Sequence, residues 1–260
     1  MRWWTWLSPS PSTRPTVGTR PAQEKVIVNL LNHQEDNHQH PKHSAPPPGA
    51  VLCDLDNVIR FYDTAPLAAR ERAAGLPVGT TMDIAYAPRI DLPLLLGRIT
   101  PDAWVEAITA ELAHHLGGDT DLARTLGRAL AEAPFRADAE AVALLRRART
   151  HVPVVLVTNA TLQLGDDLAL LGLTDLADAV VSSAVEQVAK PDPAIYRIAA
   201  ERAGVPMERC LFVDDRQENV DAATTLGMTG VLYRDPADLR RALGPYAYEA
   251  PERQQPAVRG

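Results

Sequence analysis

The sequence predicts an α/β fold, a parallel sheet flanked by helices with a helical lobe inserted after the first strand, and three observations carry the prediction. Short apolar runs recur at Val51–Cys53, Val154–Val157, Val180–Val181, Leu211–Val213 and Gly230–Tyr233. Such runs read as strands buried on both faces, as in a parallel sheet. Between them lie segments with helical spacing. Ala137 to Arg149 places Ala141, Leu144, Leu145 and Ala148 on one face, and Pro193 to Ala203 does the same with Ile195, Ile198 and Ala199, after an Asp192 cap and a proline in the first turn. Finally, residues 64 to 135 break the alternation, with helical patterns at Pro101–Leu116 and Thr120–Ala133 and no convincing strand.

In chain order, residues 1–48 are rich in Pro, Ser, Thr, Asn, Gln and His, end in Pro46-Pro47-Pro48, and hold one short apolar run at Val26–Leu31. They are expected to be a disordered extension. Its four clustered histidines, His33, His38, His40 and His43, are a composition that can bind transition metals but reads first as a solvated linker. Three tryptophans, Trp3, Trp4 and Trp6, have no assignable role. The core is expected over 49–63 and 136–245, the helical insertion over 64–135 and a disordered tail over 246–260, where periodicity is lost. In open α/β sheets ligands bind at the carboxyl ends of the strands. The insertion leaves strand one at that end.

With 260 residues and 46% hydrophobic composition, the chain can bury one sizeable core plus an accessory lobe. The formal charge is −7, and residues 1–48 carry five Lys/Arg against three Asp/Glu, so the remainder stands at −9. That balance argues against a nucleic-acid partner, since neutralising phosphates needs an excess of cations. Cys53 and Cys210 lie within apolar runs and read as buried thiols of a reducing compartment. No stretch reaches the roughly 18 apolar residues of a membrane span. The start, Met1 to Pro9, lacks the apolar region of a secretory leader. A cytoplasmic protein is expected, with no membrane partner and an oligomeric state that the sequence does not indicate.

The strand ends carry the chemistry. The first leads into Asp54-Leu55-Asp56-Asn57, the second into Thr158-Asn159, a later connection holds Lys190, and another strand leads into Asp214-Asp215. Each feature alone has an ordinary explanation as a cap, turn or solvated charge. Together they bring several carboxylates, a hydroxyl and an ammonium to one sheet edge. Crowded carboxylates repel one another unless a cation lies among them, and hard oxygen ligands suit Mg²⁺. A carboxylate attacks phosphorus only when its repulsion from the phosphate is cancelled, here by Mg²⁺ and Lys190. Asp54 is the expected nucleophile and Asp56 the group that protonates the leaving oxygen and then activates water, with Thr158, Asn159 and Lys190 holding the phosphate.

These residues resemble the haloacid dehalogenase superfamily, in its branch with a helical cap after the first motif. Asp54-Leu55-Asp56 matches its Asp-x-Asp, Thr158 its second motif, Lys190 in Ala189-Lys190-Pro191-Asp192-Pro193 its third, and Asp214-Asp215 its fourth. The run Phe212 to Val220, with Ala222-Ala223 and Leu226-Gly227-Met228, is the most specific part. The resemblance covers residues 50–245. It implies a three-layer Rossmann-like parallel sheet core with an inserted α-helical cap, and Mg²⁺ held by Asp54, Asp56 through its main-chain carbonyl, Asp214 and Asp215. Asp215 would be the direct ligand of the last pair. The departure from Gly at Asn57 is minor, because Asn tolerates a left-handed turn. Arg98 and Arg216 could reach substrate; Asp192 and Asn219 read as caps or loop-ordering groups.

The expected activity is that of a Mg²⁺-dependent phosphatase acting on a small-molecule phosphate monoester. Dehalogenation is disfavoured, since that subgroup lacks the second Asp supplied here by Asp56. A sugar-phosphate mutase and a catalytically silent relative are the alternatives. A receiver domain, which also phosphorylates an Asp, places its acidic pair before the acceptor and does not fit the order seen here.

Overall fold

The computed structural model describes residues 47–247. The histidine tract, the tryptophans and nearly all of the expected extension lie outside the described residues. From Ala50 onward the elements are β1 (Ala50–Cys53), β2 (Arg60–Tyr62), the helices α1 (Ala65–Ala73), α2 (Thr80–Ala85), α3 (Pro88–Leu95), α4 (Pro101–His115) and α5 (Thr120–Ala131), then β3 (Phe135–Ala137) and α6 (Ala139–Arg149). They continue with β4 (Val154–Thr158), α7 (Leu164–Leu170), β5 (Ala179–Ser182), α8 (Ser183–Glu186), α9 (Pro193–Ala203), β6 (Cys210–Asp214), α10 (Gln217–Thr225), β7 (Thr229–Leu232) and α11 (Pro236–Leu243).

The main sheet has the order β5-β4-β1-β6-β7, and every neighbouring pair is parallel. Side chains alternate across a strand, so each run feeds two cores. Val51, Cys53, Val154, Leu156, Leu211 and Val213 face Leu144 and Leu145 of α6, Leu164 and Leu168 of α7, and Leu239 and Leu243 of α11. Ala50, Leu52, Val155, Val157 and Phe212 face Ile195, Tyr196 and Ala199 of α9 and Ala223 of α10. This gives the three layers, with β1 at the centre. Both cysteines are buried and free within this sheet, as expected.

A second, two-stranded sheet pairs β2 with β3 antiparallel, Arg60 opposite Ala137 and Tyr62 opposite Phe135. The five helices α1 to α5 lie between these two strands in sequence and bury their own apolar cluster, including Leu67, Ile90, Trp104, Ile108, Leu112 and Leu126. Helix α4 starts at the Thr100 cap and α5 at Asp119, each side chain accepting a first-turn N–H. Helix α6 begins two residues later than the spacing suggests, because Phe135 to Ala137 pair in β3 and Asp138 then caps the helix. At the end of the described residues the Tyr246 ring stacks on His151 at 5.2 Å and Ala247 is buried; residues 248–260, the rest of the expected tail, lie outside them. Among the described residues no helix is long and apolar enough to cross a membrane.

Candidate active site

Three adjacent central strands, β4, β1 and β6, deliver their last residues to one edge. The Asp54 N–H continues the β1 ladder to the Val213 carbonyl at 2.8 Å, so its side chain emerges where the strand ends. Thr158 closes β4 and Asp214 closes β6. Lys190 arrives from the connection between α8 and α9, with its Nζ 2.7 Å from Asp54 Oδ1 and 2.7 Å from Asp214 Oδ2. All three groups are buried.

Neighbours fix each of them. Asn159 holds the Lys190 main chain at both ends, accepting its N–H at 2.8 Å and donating to its carbonyl at 3.0 Å. Asp214 Oδ1 accepts from Asn219 Nδ2 and from the Arg216 N–H, both at 2.9 Å, and the Tyr196 hydroxyl donates to the Asn219 carbonyl. Asp215 Oδ2 accepts from Asn57 Nδ2 at 3.1 Å. Asn57 has φ +59°, the left-handed conformation that Asn adopts more readily than most residues.

The charge balance is unequal. Burial opposes the Lys190 ammonium, but Asp54 and Asp214 outweigh it and raise its pKa, keeping it charged. One ammonium cannot serve three carboxylates. Burial pushes Asp54 up to about 8, with Lys190 pulling the other way and Asp214 adding to the rise. Burial and Asp214 also raise Asp215. Oxygens of Asp54, Asp214 and Asp215 lie within 4.8 Å of one another. A dense, electron-rich set of hard oxygens fits a divalent cation. Thr158 Oγ1, at the same strand ends, is buried with no hydrogen-bond partner among the described residues.

Asp56 stands apart from this cluster. Its carboxylate is held by Arg60, with Nε to Oδ1 at 2.6 Å and Nη2 to Oδ2 at 2.9 Å, while Arg60 Nη1 reaches Asp167 Oδ2 at 2.6 Å. Arg60, which the sequence reading did not single out, lies beside Asp56 in the fold; its only local signal is the four-residue spacing from Asp56. Of the other candidates, Asp192 caps α9, Arg216 pairs with Glu218, and Arg98 is exposed. The helical segment touches the core near this edge. Ser183 Oγ donates to the Leu95 carbonyl at 2.6 Å, and a Cβ on Gly97 would lie 2.9 Å from the Ala184 carbonyl oxygen.

A family model described as haloacid dehalogenase-like hydrolase matches residues 48–227. Phosphatase MT3486 of Mycobacterium tuberculosis is 31% identical over 192 residues, an alignment spanning 70% of this chain and 86% of that protein. Among solved structures, a haloacid dehalogenase family enzyme of Bacteroides thetaiotaomicron, a point mutant in complex with magnesium and inorganic phosphate, superposes with a TM-score of 0.54 at 19% identity, over 70% of this chain and 92% of that one. The L-2-haloacid dehalogenase of Xanthobacter autotrophicus superposes with a TM-score of 0.52 at 23% identity, over 77% and 86%. These structural likenesses establish a common fold.

Proposed function

This chain belongs to the haloacid dehalogenase-like hydrolases, and we propose that it is a Mg²⁺-dependent phosphatase that hydrolyses a small-molecule phosphate monoester by way of a phosphorylated Asp54. The observation that carries the reading is the buried Asp54, bridged by Lys190 to Asp214 and within 4.8 Å of Asp215. A carboxylate so placed is shielded from water and oriented, yet surrounded by more negative charge than Lys190 neutralises. Asp54, Asp214, Asp215 and the Asp56 carbonyl would hold Mg²⁺. The bound ion supplies the positive charge that allows an anionic phosphate to approach an anionic nucleophile.

In this reading an Asp54 carboxylate oxygen forms a bond to phosphorus as the ester P–O bond breaks. The departing oxygen keeps the electron pair and takes a proton from Asp56. Water then attacks the same phosphorus, giving its proton back to Asp56, and inorganic phosphate leaves with Asp54 restored. Lys190 keeps Asp54 and Asp214 in place and offsets charge on the phosphoryl oxygens. The unpartnered Thr158 hydroxyl donates to one of those oxygens. Asn159 acts on the phosphate through Lys190, since both ends of its amide are already bonded to that residue's main chain.

The phosphatase named among the relatives supports hydrolysis. A fixed proton-transfer group at Asp56 favours an oxygen leaving group over a halide, which needs no proton. The test is release of inorganic phosphate from an aryl phosphate and a panel of sugar and nucleotide monophosphates, with Mg²⁺ or EDTA, for the wild type and Asp54→Asn. Release that needs Mg²⁺ and falls on the order of 10³-fold or more in the variant is expected. Release that survives in Asp54→Asn, or proceeds equally in EDTA, overturns the reading.

A further inference from the structure

The group that the phosphatase reading uses for proton transfer is the one carboxylate of the four that does not touch the buried cluster. We infer that Arg60 is the positioning residue for Asp56: its guanidinium fork fixes the plane of the Asp56 carboxylate, and Asp167 in turn anchors the fork. The inference rests on the reading of Asp56 as the proton donor and acceptor.

Three features carry it. The first is local. The Ile59 and Arg60 N–H groups both donate to the Leu55 carbonyl at 2.8 Å, and the Asn57 N–H donates to the Arg60 carbonyl at 2.8 Å. This tight loop, turned by the left-handed Asn57, returns Arg60 to the side of Asp56. The second is the geometry of the pair. Two parallel bonds of 2.6 and 2.9 Å define a plane, which a single contact to a lysine would not. The third is the rigidity of the clamp. Arg60 is 3% exposed, its Nη1 is tied to Asp167 on α7, and its guanidinium carbon lies 5.1 Å from the Tyr62 ring centroid and 5.5 Å from that of Phe135.

A buried arginine with only a structural duty needs a counter-ion, and Asp167 supplies one at 2.6 Å. The fork on Asp56 goes beyond that need. The Asp56 side chain remains 31% exposed although the fork grips both of its oxygens. A carboxyl group has about four lone-pair positions, and the fork occupies one on each oxygen. The others stay available to carry the proton that the leaving oxygen takes as the P–O bond breaks, and to receive one from the attacking water. Side-chain freedom about χ1 and χ2 would otherwise spread that acid over several rotamers.

The experiment compares kcat/KM for an alkyl and an aryl phosphate in the wild type, Asp56→Asn, Arg60→Ala and Asp167→Asn. The value of kcat/KM reports the first transfer, where an alkoxide needs the acid and a stabilised aryloxide hardly does. Asp56→Asn sets the reference by lowering the alkyl value about a hundredfold, with little change in the aryl value. Arg60→Ala is expected to reproduce that selective loss, and guanidinium added to the buffer is expected to restore part of the alkyl rate. Asp167→Asn, which leaves the fork in place, is expected to shift the alkyl-to-aryl ratio in the same direction by a smaller factor, and it carries the test if Arg60→Ala does not fold. Equal losses on both esters, or an unchanged ratio in both clamp variants while Asp56→Asn changes it, overturn the inference. An unchanged ratio in Asp56→Asn itself removes the premise, and shows that the failure belongs to the role given to Asp56.

Discussion

Thr158 is fully buried, and its hydroxyl meets no partner among the described residues. An unmade hydrogen bond of this kind costs a folded protein about 1–3 kcal/mol. Replacing Thr158 by Val removes the orphan while keeping the shape. Thermal stability is expected to hold or rise slightly, while kcat/KM for phosphate esters falls about tenfold to a hundredfold, in line with the loss of a hydrogen bond to a charged group. Loss of both stability and activity would instead make Thr158 structural. Most residues gathered at this edge were legible in the sequence, because an apolar strand ending in an acid or hydroxyl announces both its depth and its exit point. Arg60 was not. Its second partner, Asp167, lies 107 positions away, and a lone arginine after a strand carries no sign that it will be buried. Asn159 was legible as the residue after a strand end, yet its reciprocal bonds to the main chain of Lys190 depend on how two distant loops meet.

Among the elements, β7 runs so close to α10 that a Cβ on Gly230 would lie 2.5 Å from Thr224 Oγ1 and 3.1 Å from the Val220 carbonyl oxygen. The hydroxyl could rotate away but the backbone could not. Gly230→Ala is therefore expected to destabilise the fold by about 1–3 kcal/mol, seen as a lower urea midpoint with an unchanged slope. An unaltered midpoint would mean that strand and helix separate easily. The five strands of the main sheet could be read from the sequence because burial on both faces writes them as unbroken apolar runs. The β2–β3 ribbon could not: each strand has three residues, pairs with a distant segment, and shows no alternation strong enough to register. Helices α4 and α5 were visible through caps and spacing. Helices α1 to α3 are short and held by the cluster they share rather than by a pattern of their own.

For the molecule as a whole, the excess of buried carboxylates ties stability to pH, and in the proposed reading to Mg²⁺ as well. The pKa of Asp54 rises from 3.8 to about 8 in the fold, chiefly through burial, so between those limits the folded state holds a proton that the unfolded chain has released. Unfolding free energy from this group therefore declines as pH rises from about 4 to about 8. In EDTA the wild type is expected to melt lower at pH 8 than at pH 6, and Asp54→Asn to flatten that slope and exceed the wild type at pH 8. In the proposed reading Mg²⁺ takes the place of that proton, so its stabilisation should be larger at pH 8. At about a hundredfold excess over Kd it would amount to about 2.7 kcal/mol. A Mg²⁺ effect independent of pH would place the ion away from Asp54. The central step, attack by Asp54 on phosphorus, is tested most directly by acid-quenching the enzyme during turnover and mapping the covalent phosphoryl group by peptide mass spectrometry. Asp56→Asn, which slows the water step while leaving the first transfer from an aryl phosphate nearly unchanged, is included with that ester to let the species accumulate. The expected result is one phosphoryl group on Asp54, labile to hydroxylamine and absent from Asp54→Asn. Steady release of inorganic phosphate with no modified Asp54 at any quench time, in the wild type or in Asp56→Asn, would contradict it.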